Sequence, residues 1–296
     1  MSEARPGWLA LAVVLEALSC LSYVLMFRPV FCPHMSRRSA RELAVSELGV
    51  GALVPASGAA GLALGAWVLR EGGMPGEQIA RRSVAFFLIK SSVNFVAVAA
   101  VGTLAALGLG ADLSPLLTVL PAALSVALIV VVILMRRLGG GPDPGPGASR
   151  PRRWIAAARR ALRGGVDEAI RLVRSRNAAI LSGALGYWAF DNAVLWATFN
   201  AFGESPDVIV ILLGYLIGQL GGLLPLPGGI GGIDGGLVGT LIVYGAPADV
   251  TVAAVLAYRV ILFWLPLVAG AFAFASLRRA LNRPERPDLC EVPAAA

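Results

Sequence analysis

Apolar positions in this chain fall in long runs with few polar interruptions, not in the one-sided stripes of a soluble helix. Five runs, Trp8–Phe27, Ser83–Leu107, Leu116–Met135, Ala178–Phe199 and Thr251–Ala275, each hold twenty residues or more. At ~1.5 Å per helical residue they can cross a hydrocarbon core of about 30 Å. Two other apolar stretches, Glu42–Leu69 and Val208–Tyr244, are broken by proline and glycine. The pattern predicts an all-α polytopic membrane protein. The first run lacks a basic leader and a small-x-small cleavage site, and Glu16 interrupts it. It therefore reads as a retained helix, not a signal peptide.

The polar segments between the runs set the sidedness. Residues 135–176 carry eleven arginines against three acids, and the segments after Phe27, before Ser83 and after Ala275 are also basic. The connections around Asp112, around Glu204 and Asp207, and at Asp249 carry only acids. Basic loops stay cytoplasmic. The N-terminus is then outside and the C-terminus inside, in the inner (plasma) membrane of a bacterial-type cell. Both ends of Glu42–Leu69 fall on the inside and both ends of Val208–Tyr244 on the outside, so each stretch must return to the face it entered. The expected fold is an inverted repeat with two re-entrant helical hairpins. Residues 1–135 form the first membrane repeat plus a connecting helix, and 136–176 a basic cytoplasmic loop. Residues 177–280 form the second repeat and 281–296 a cytoplasmic tail. Within the basic loop, Ile155, Leu162, Val166, Ile170 and Val173 share one helical face. An amphipathic helix of this kind lies on a leaflet and meets anionic headgroups.

The two broken stretches match each other. At an offset of 170 residues, Gly51, Leu53, Pro55, Gly58, Gly61 and Gly65 align with Gly221, Leu223, Pro225, Gly228, Gly231 and Gly235. Irregular backbone at membrane depth survives only against protein or a water-filled cavity. The hairpin tips are expected at Pro55, Ser57, Gly58 and Gly61, and at Pro225, Pro227, Gly228, Gly229 and Gly231. A helix restarting there presents free N–H groups and the positive end of its dipole. Two such ends meeting near the midplane suit an anion. Small-residue packing accounts for the glycines, but not for Pro225, Pro227 and Asp234 together.

Composition supports the membrane reading: 57% of residues are hydrophobic and the mean hydropathy is +0.76, against roughly 45–50% apolar usage in soluble domains. The three cysteines, Cys20, Cys32 and Cys290, fit neither a disulfide framework nor metal spacing, and His34 is the single histidine. The glycine-rich segment lacks the Lys-Ser/Thr ending of a nucleotide loop. No cofactor, metal or nucleic acid is expected. The intramembrane charges carry the chemistry. Lys90, the only lysine, and Arg259 occupy corresponding helices of the two halves, and a central cation is costly unless it is paired or serves a ligand. Glu16, Asp191 and Asp234 are the intramembrane acids, with Asn94, Asn192 and Gln219 nearby in the pattern. Internal ion pairing and a cavity for an anionic lipid headgroup both fit these residues.

The segments "LPLPGGIGGIDGGL" and "AAVLAYRVILFWLPLVAG" resemble the signature of the lysylphosphatidylglycerol synthase/flippase membrane region. The match covers Pro225 to Gly235, Tyr258, Arg259, Trp264 and Pro266; the first hairpin, "PASGAAG", departs from the charged family pattern. In bifunctional members a separate cytosolic domain attaches the amino acid, and the membrane region moves the product between leaflets. About 20 residues after the last run leave no room for that domain, so the resemblance implies a stand-alone, non-enzymatic flippase-like protein. Its partners would be phospholipids with anionic headgroups, and a homo-oligomer stays open. A membrane-embedded enzyme using Asp234 or Asp191, or a non-transporting partner subunit, are the alternatives.

Overall fold

A computed structural model describes residues 4–53, 59–108, 114–135, 149–203, 205–220 and 231–281. Among them the fold is entirely helical. The ten helices are α1 (Pro6–Phe31), α2 (Arg37–Leu53), α3 (Ala59–Glu71), α4 (Gly76–Ala106), α5 (Pro115–Leu134), α6 (Arg150–Arg174), α7 (Ala178–Phe202), α8 (Val208–Leu220), α9 (Gly232–Val243) and α10 (Ala248–Leu281). In lipid, backbone polar groups must be satisfied within the segment, which favours helices throughout. Local signals mark the starts. Prolines occupy the first turns of α1, α5 and α6, where the missing N–H is harmless. Asn177 caps α7, its Oδ1 accepting from the Ala179 and Ile180 N–H groups at 3.0 and 3.4 Å.

Four of the described helices, α1, α4, α5 and α10, are long and apolar enough to cross a membrane. The fifth expected span, Ala178–Phe199, forms α7 but is not one of these four. Its polar residues are why: Asp191, Asn192 and Thr198 are buried in the protein, and α7 packs on α1, α10 and α4. The helix is built to pack on protein more than on lipid. The broken stretches appear as pairs of short helices, α2 with α3 and α8 with α9, packed against each other. The residues between the members of each pair lie outside the described residues. So do the expected tip residues Pro55, Ser57, Gly58, Pro225, Pro227, Gly228 and Gly229; Gly61 lies in the first turn of α3, and Gly231 directly precedes α9.

The packing links the two halves of the chain. α1 and α7 form the central contact; α2 packs on α10 and α8 on α4; α1 also touches α10, and α7 touches α4. Small residues permit the closest approaches, as expected where van der Waals packing drives association. A Cβ on Gly49 of α2 would stand 2.8 Å from the Gly270 Cα of α10. Two apolar clusters result. One surrounds Phe27, Phe31 and Phe86, with Phe27 and Phe31 stacked at 4.6 Å between ring centroids. The other surrounds Val194, Leu213, Leu237 and Tyr258. Glu16, Ser19 and Ser22 of α1, and Asp191 and Asn192 of α7, fall between the positions given to the two clusters.

The amphipathic helix of the basic loop is α6. Val166 and Ala169 of its second half are buried, and a Cβ on Gly165 would collide with Val84 of α4 at 2.4 Å. Glu168 fixes the dock, paired with Arg171 and 3.6 Å from Arg81 Nε. Toward the N-terminus the apolar stripe stays open: Trp154, Ile155 and Leu162 are exposed. One cysteine departs from the sequence reading. Cys32 is disulfide-bonded, with its partner outside the described residues, while Cys20 is free.

Candidate functional site

Helix periodicity gathers the polar groups. Glu16, Ser19 and Tyr23 share a face of α1, Tyr187 and Asp191 a face of α7, and Phe86 and Lys90 a face of α4. With Glu47 of α2 they line a cavity of about 250 Å³, closed in part by Gly61 of α3 and Pro266 of α10. Glu47 reaches this position because α3 offers no side chain there. A Cβ on Gly65 would lie 1.5 Å from Glu47 Oε1, and one on Gly61 would lie 2.3 Å from the Glu47 carbonyl oxygen.

Each carboxylate in the cluster has a different set of partners. Glu47 Oε2 accepts from the Tyr23 hydroxyl at 3.0 Å. Asp191 accepts from two phenols, Tyr258 at 3.1 Å on Oδ1 and Tyr215 on Oδ2. Glu16 Oε1 receives only the Cys20 thiol, at 3.4 Å. Lys90 forms no ion pair among the described residues. Its Nζ lies over the rings of Tyr23 and Tyr187, 5.8 and 5.2 Å from their centroids. Ring faces attract a cation but leave the three ammonium donors open to a ligand.

A second pattern emerges from these contacts. Tyr23 and Asp191, Glu47 and Tyr215, and Lys90 and Tyr258 each stand 168 residues apart. In both halves the first and second members of the set are joined by a tyrosine–carboxylate hydrogen bond, with donor and acceptor exchanged. The third position holds an ammonium in one half and a phenol in the other. By this spacing the counterpart of Lys90 is Tyr258, and Arg259 follows it by one residue.

Arg259 and Asp234 form a separate pair. Arg259 Nε stands 2.5 Å from Asp234 Oδ1, an ion pair by distance whose alignment falls short of a hydrogen bond. Asp234 Oδ2 accepts from the Gly231 N–H at 3.0 Å, capping α9 where the dipole favours an acid. Gly231 takes φ of +86°, a conformation open to glycine at little cost. Both side chains of the pair are about one-fifth exposed.

The structure thus gathers Lys90, Glu16 and Asp191 around one cavity. Arg259 and Asp234 stand off its wall, since neither lines it. Asn94 and Asn192 are not in the wall either; both engage Trp188, Asn94 Oδ1 accepting from the indole N–H at 3.0 Å and Asn192 Nδ2 donating to the Trp188 carbonyl at 2.8 Å. Gln219 belongs to α8, and its side chain lies outside the described residues. Sequence reasoning missed Glu47 and the tyrosines Tyr23, Tyr187 and Tyr215. The available signal for three of them was the 168-residue spacing, which the glycine-based alignment at 170 conceals.

The fold and site define a class: an all-helical, multi-pass membrane protein with a charged internal cavity. A family model described as Lysylphosphatidylglycerol synthase TM region matches residues 1–270, and the chain belongs to that family. Part of the chain is similar to proteins called UPF0104 membrane protein from Methanothermobacter thermautotrophicus. One match is 38% identical over 91 residues, 30% of this chain and 26% of the relative. Another is 31% identical over 85 residues, 28% of this chain and 25% of the relative. The matched segments thus span about a quarter of the relatives' length.

Proposed function

We propose that the protein moves a phospholipid or lipid-linked headgroup between leaflets through the central cavity. The observation that carries this reading is Lys90. An ammonium inside an apolar helix, facing a cavity and held by two ring faces with no ion pair among the described residues, is placed for an anionic ligand. The headgroup phosphate is that ligand. Arg259 is the second phosphate contact: it exchanges Asp234 for the phosphate when lipid arrives, so that no cation is left unpaired. Family membership and the apolar helices support the membrane setting.

The inverted repeat is part of the same proposal. The reciprocal packing of α2 on α10 and α8 on α4 is what a two-fold relation between halves produces, and the 168-residue spacing agrees with it. The limbs α2, α3, α8 and α9 have 17, 13, 13 and 12 residues. At ~1.5 Å per residue most fall well short of a core of about 30 Å, which suits two re-entrant hairpins meeting at mid-depth. The basic segments 136–176 and 281–296 face the cytoplasm in this arrangement and the N-terminus lies outside, in the plasma membrane.

The test is transport itself. Purified protein in vesicles containing tail-labelled phosphatidylglycerol is assayed by chemical quenching of outer-leaflet label. Protein-dependent equilibration between leaflets is expected. Vesicles that behave like protein-free controls, with the protein folded, contradict the reading.

A further inference from the structure

Glu16 is the one acid of the cavity that the transport reading leaves unexplained. It is 5% exposed, and its Oε2 is buried without a hydrogen-bond partner among the described residues. Its other oxygen has only a thiol, a weak donor. The remaining intramembrane acids are provided for: Asp191 by two phenols, Glu47 by Tyr23, and Asp234 by Arg259 and a backbone N–H. An unsatisfied buried carboxylate oxygen is among the most unfavourable groups a protein can hold.

The helices α7, α2, α4 and α10, which pack on α1, bring further polar groups to the same region. Asp191 and Tyr187 come from α7, Glu47 from α2 and Lys90 from α4; Tyr258 comes from α10. Lys90 is the cation that lines the cavity with the carboxylates of Glu16, Glu47 and Asp191; Arg259 of α10, paired with Asp234, stands off its wall. A phosphate entering the cavity would add a further negative charge. Arg259 turning to the phosphate leaves Asp234 unpaired and so adds no net positive charge; a proton on the unpartnered oxygen of Glu16 offsets the phosphate.

We propose that Glu16 is a reversible proton-binding site and that its occupancy is coupled to that of the headgroup. This rests on the transport reading. On loading, the Glu16 carboxylate takes a proton from the aqueous face to which the cavity is open, becoming a neutral carboxyl. On unloading at the other face, the O–H bond breaks and the proton leaves to water. One lipid and one proton travel together, and a proton gradient drives the lipid.

Infrared difference spectroscopy tests the site without relying on transport. The full-length protein is placed in nanodiscs of phosphatidylcholine, with or without phosphatidylglycerol, and titrated from about pH 5 to about pH 9. A protonated-carboxyl band that titrates, strengthens with phosphatidylglycerol and disappears in Glu16→Gln is expected. A band that survives unchanged in Glu16→Gln, no titrating band at all, or replacement of the band by added sodium at fixed pH each overturns the proposal. If Glu16→Gln does not fold, Glu16→Asp takes its place, and an unmoved band frequency and midpoint is the overturning result. In vesicles, a pH difference of one unit should change wild-type transport by up to about tenfold, the change in proton activity itself, and leave Glu16→Gln transport unchanged. A wild-type rate indifferent to the gradient overturns the coupling. A titrating, lipid-sensitive Glu16 band with no transport in any vesicle supports the proton site and contradicts the transport reading instead.

Discussion

The two halves of the molecule hold the same set of positions and use them differently. Tyr23, Glu47 and Lys90 surround an open space, whereas their counterparts Asp191, Tyr215 and Tyr258 close on each other. In the second set both carboxylate oxygens receive phenol hydrogen bonds, and Tyr258 is fully buried. Its charge is satisfied by the protein. In the first set Glu47 receives one phenol, and the third position is an ammonium whose donors face the cavity. A buried charge answered from within holds helices together, while one left open awaits a ligand. Under the proposed function, the contrast gives the second set a mainly structural role and the first set the binding role.

Removing both phenols from Asp191 is the strongest way to break the comparison. Tyr215→Phe with Tyr258→Phe leaves a buried carboxylate without these donors, and breaking such an arrangement costs ~3–5 kcal/mol. Poor expression or a large fall in melting temperature is expected, and a melting curve like wild type would remove the structural role of the second set. Either single change loses one hydrogen bond to a charged group, ~1.5–3 kcal/mol. Gly65→Ala comes next. The methyl group would occupy the place of the Glu47 carboxylate, and overpacking of this kind costs ~1–3 kcal/mol. Transport should fall with it, because Glu47 must leave the cavity wall. Tyr23→Phe should cost less than either second-set tyrosine, about 1 kcal/mol, because Glu47 can turn to cavity water. Chemical denaturation of the three phenylalanine variants side by side checks that order. The smallest effect is at Gly239 of α9, which is exposed and where an added Cβ would meet nothing within 4 Å among the described residues. Gly239→Ala should be neutral or stabilising by ~0.5–1 kcal/mol, and a loss comparable to Gly65→Ala would mean that α9 packs differently.

Much of the fold was legible because lipid imposes strong rules on sequence. Run length and the positions of proline and glycine indicated the long helices and the two broken stretches, and α4, α5 and α10 begin within a few residues of the expected runs or, for α4, a turn or two earlier. α7 was less legible as a distinct kind of helix, since its burial of Asp191 depends on Tyr215 of α8 and Tyr258 of α10 lying against it. The site was legible where charge interrupts an apolar run, as at Lys90, Glu16 and Asp191. Glu47 was hidden because α2 is mixed in composition, and a carboxylate beside Arg41 and Glu42 reads as part of a polar end. Its burial follows from Gly61 and Gly65 on the next helix, a tertiary fact. The tyrosines were hidden for a related reason. A phenol in an apolar helix breaks no pattern until its partner is known.

The most direct test of the central claim is Lys90→Gln in the vesicle transport assay, with melting temperature measured on the same preparation. If the ammonium serves a lipid phosphate, a charge-assisted contact of ~1.5–3 kcal/mol is lost, roughly a 10- to 100-fold fall in transport. The melting temperature should stay near wild type, because no ion pair among the described residues is broken. Transport at the wild-type rate, or a loss fully explained by unfolding, would contradict the assignment of the open cluster to binding.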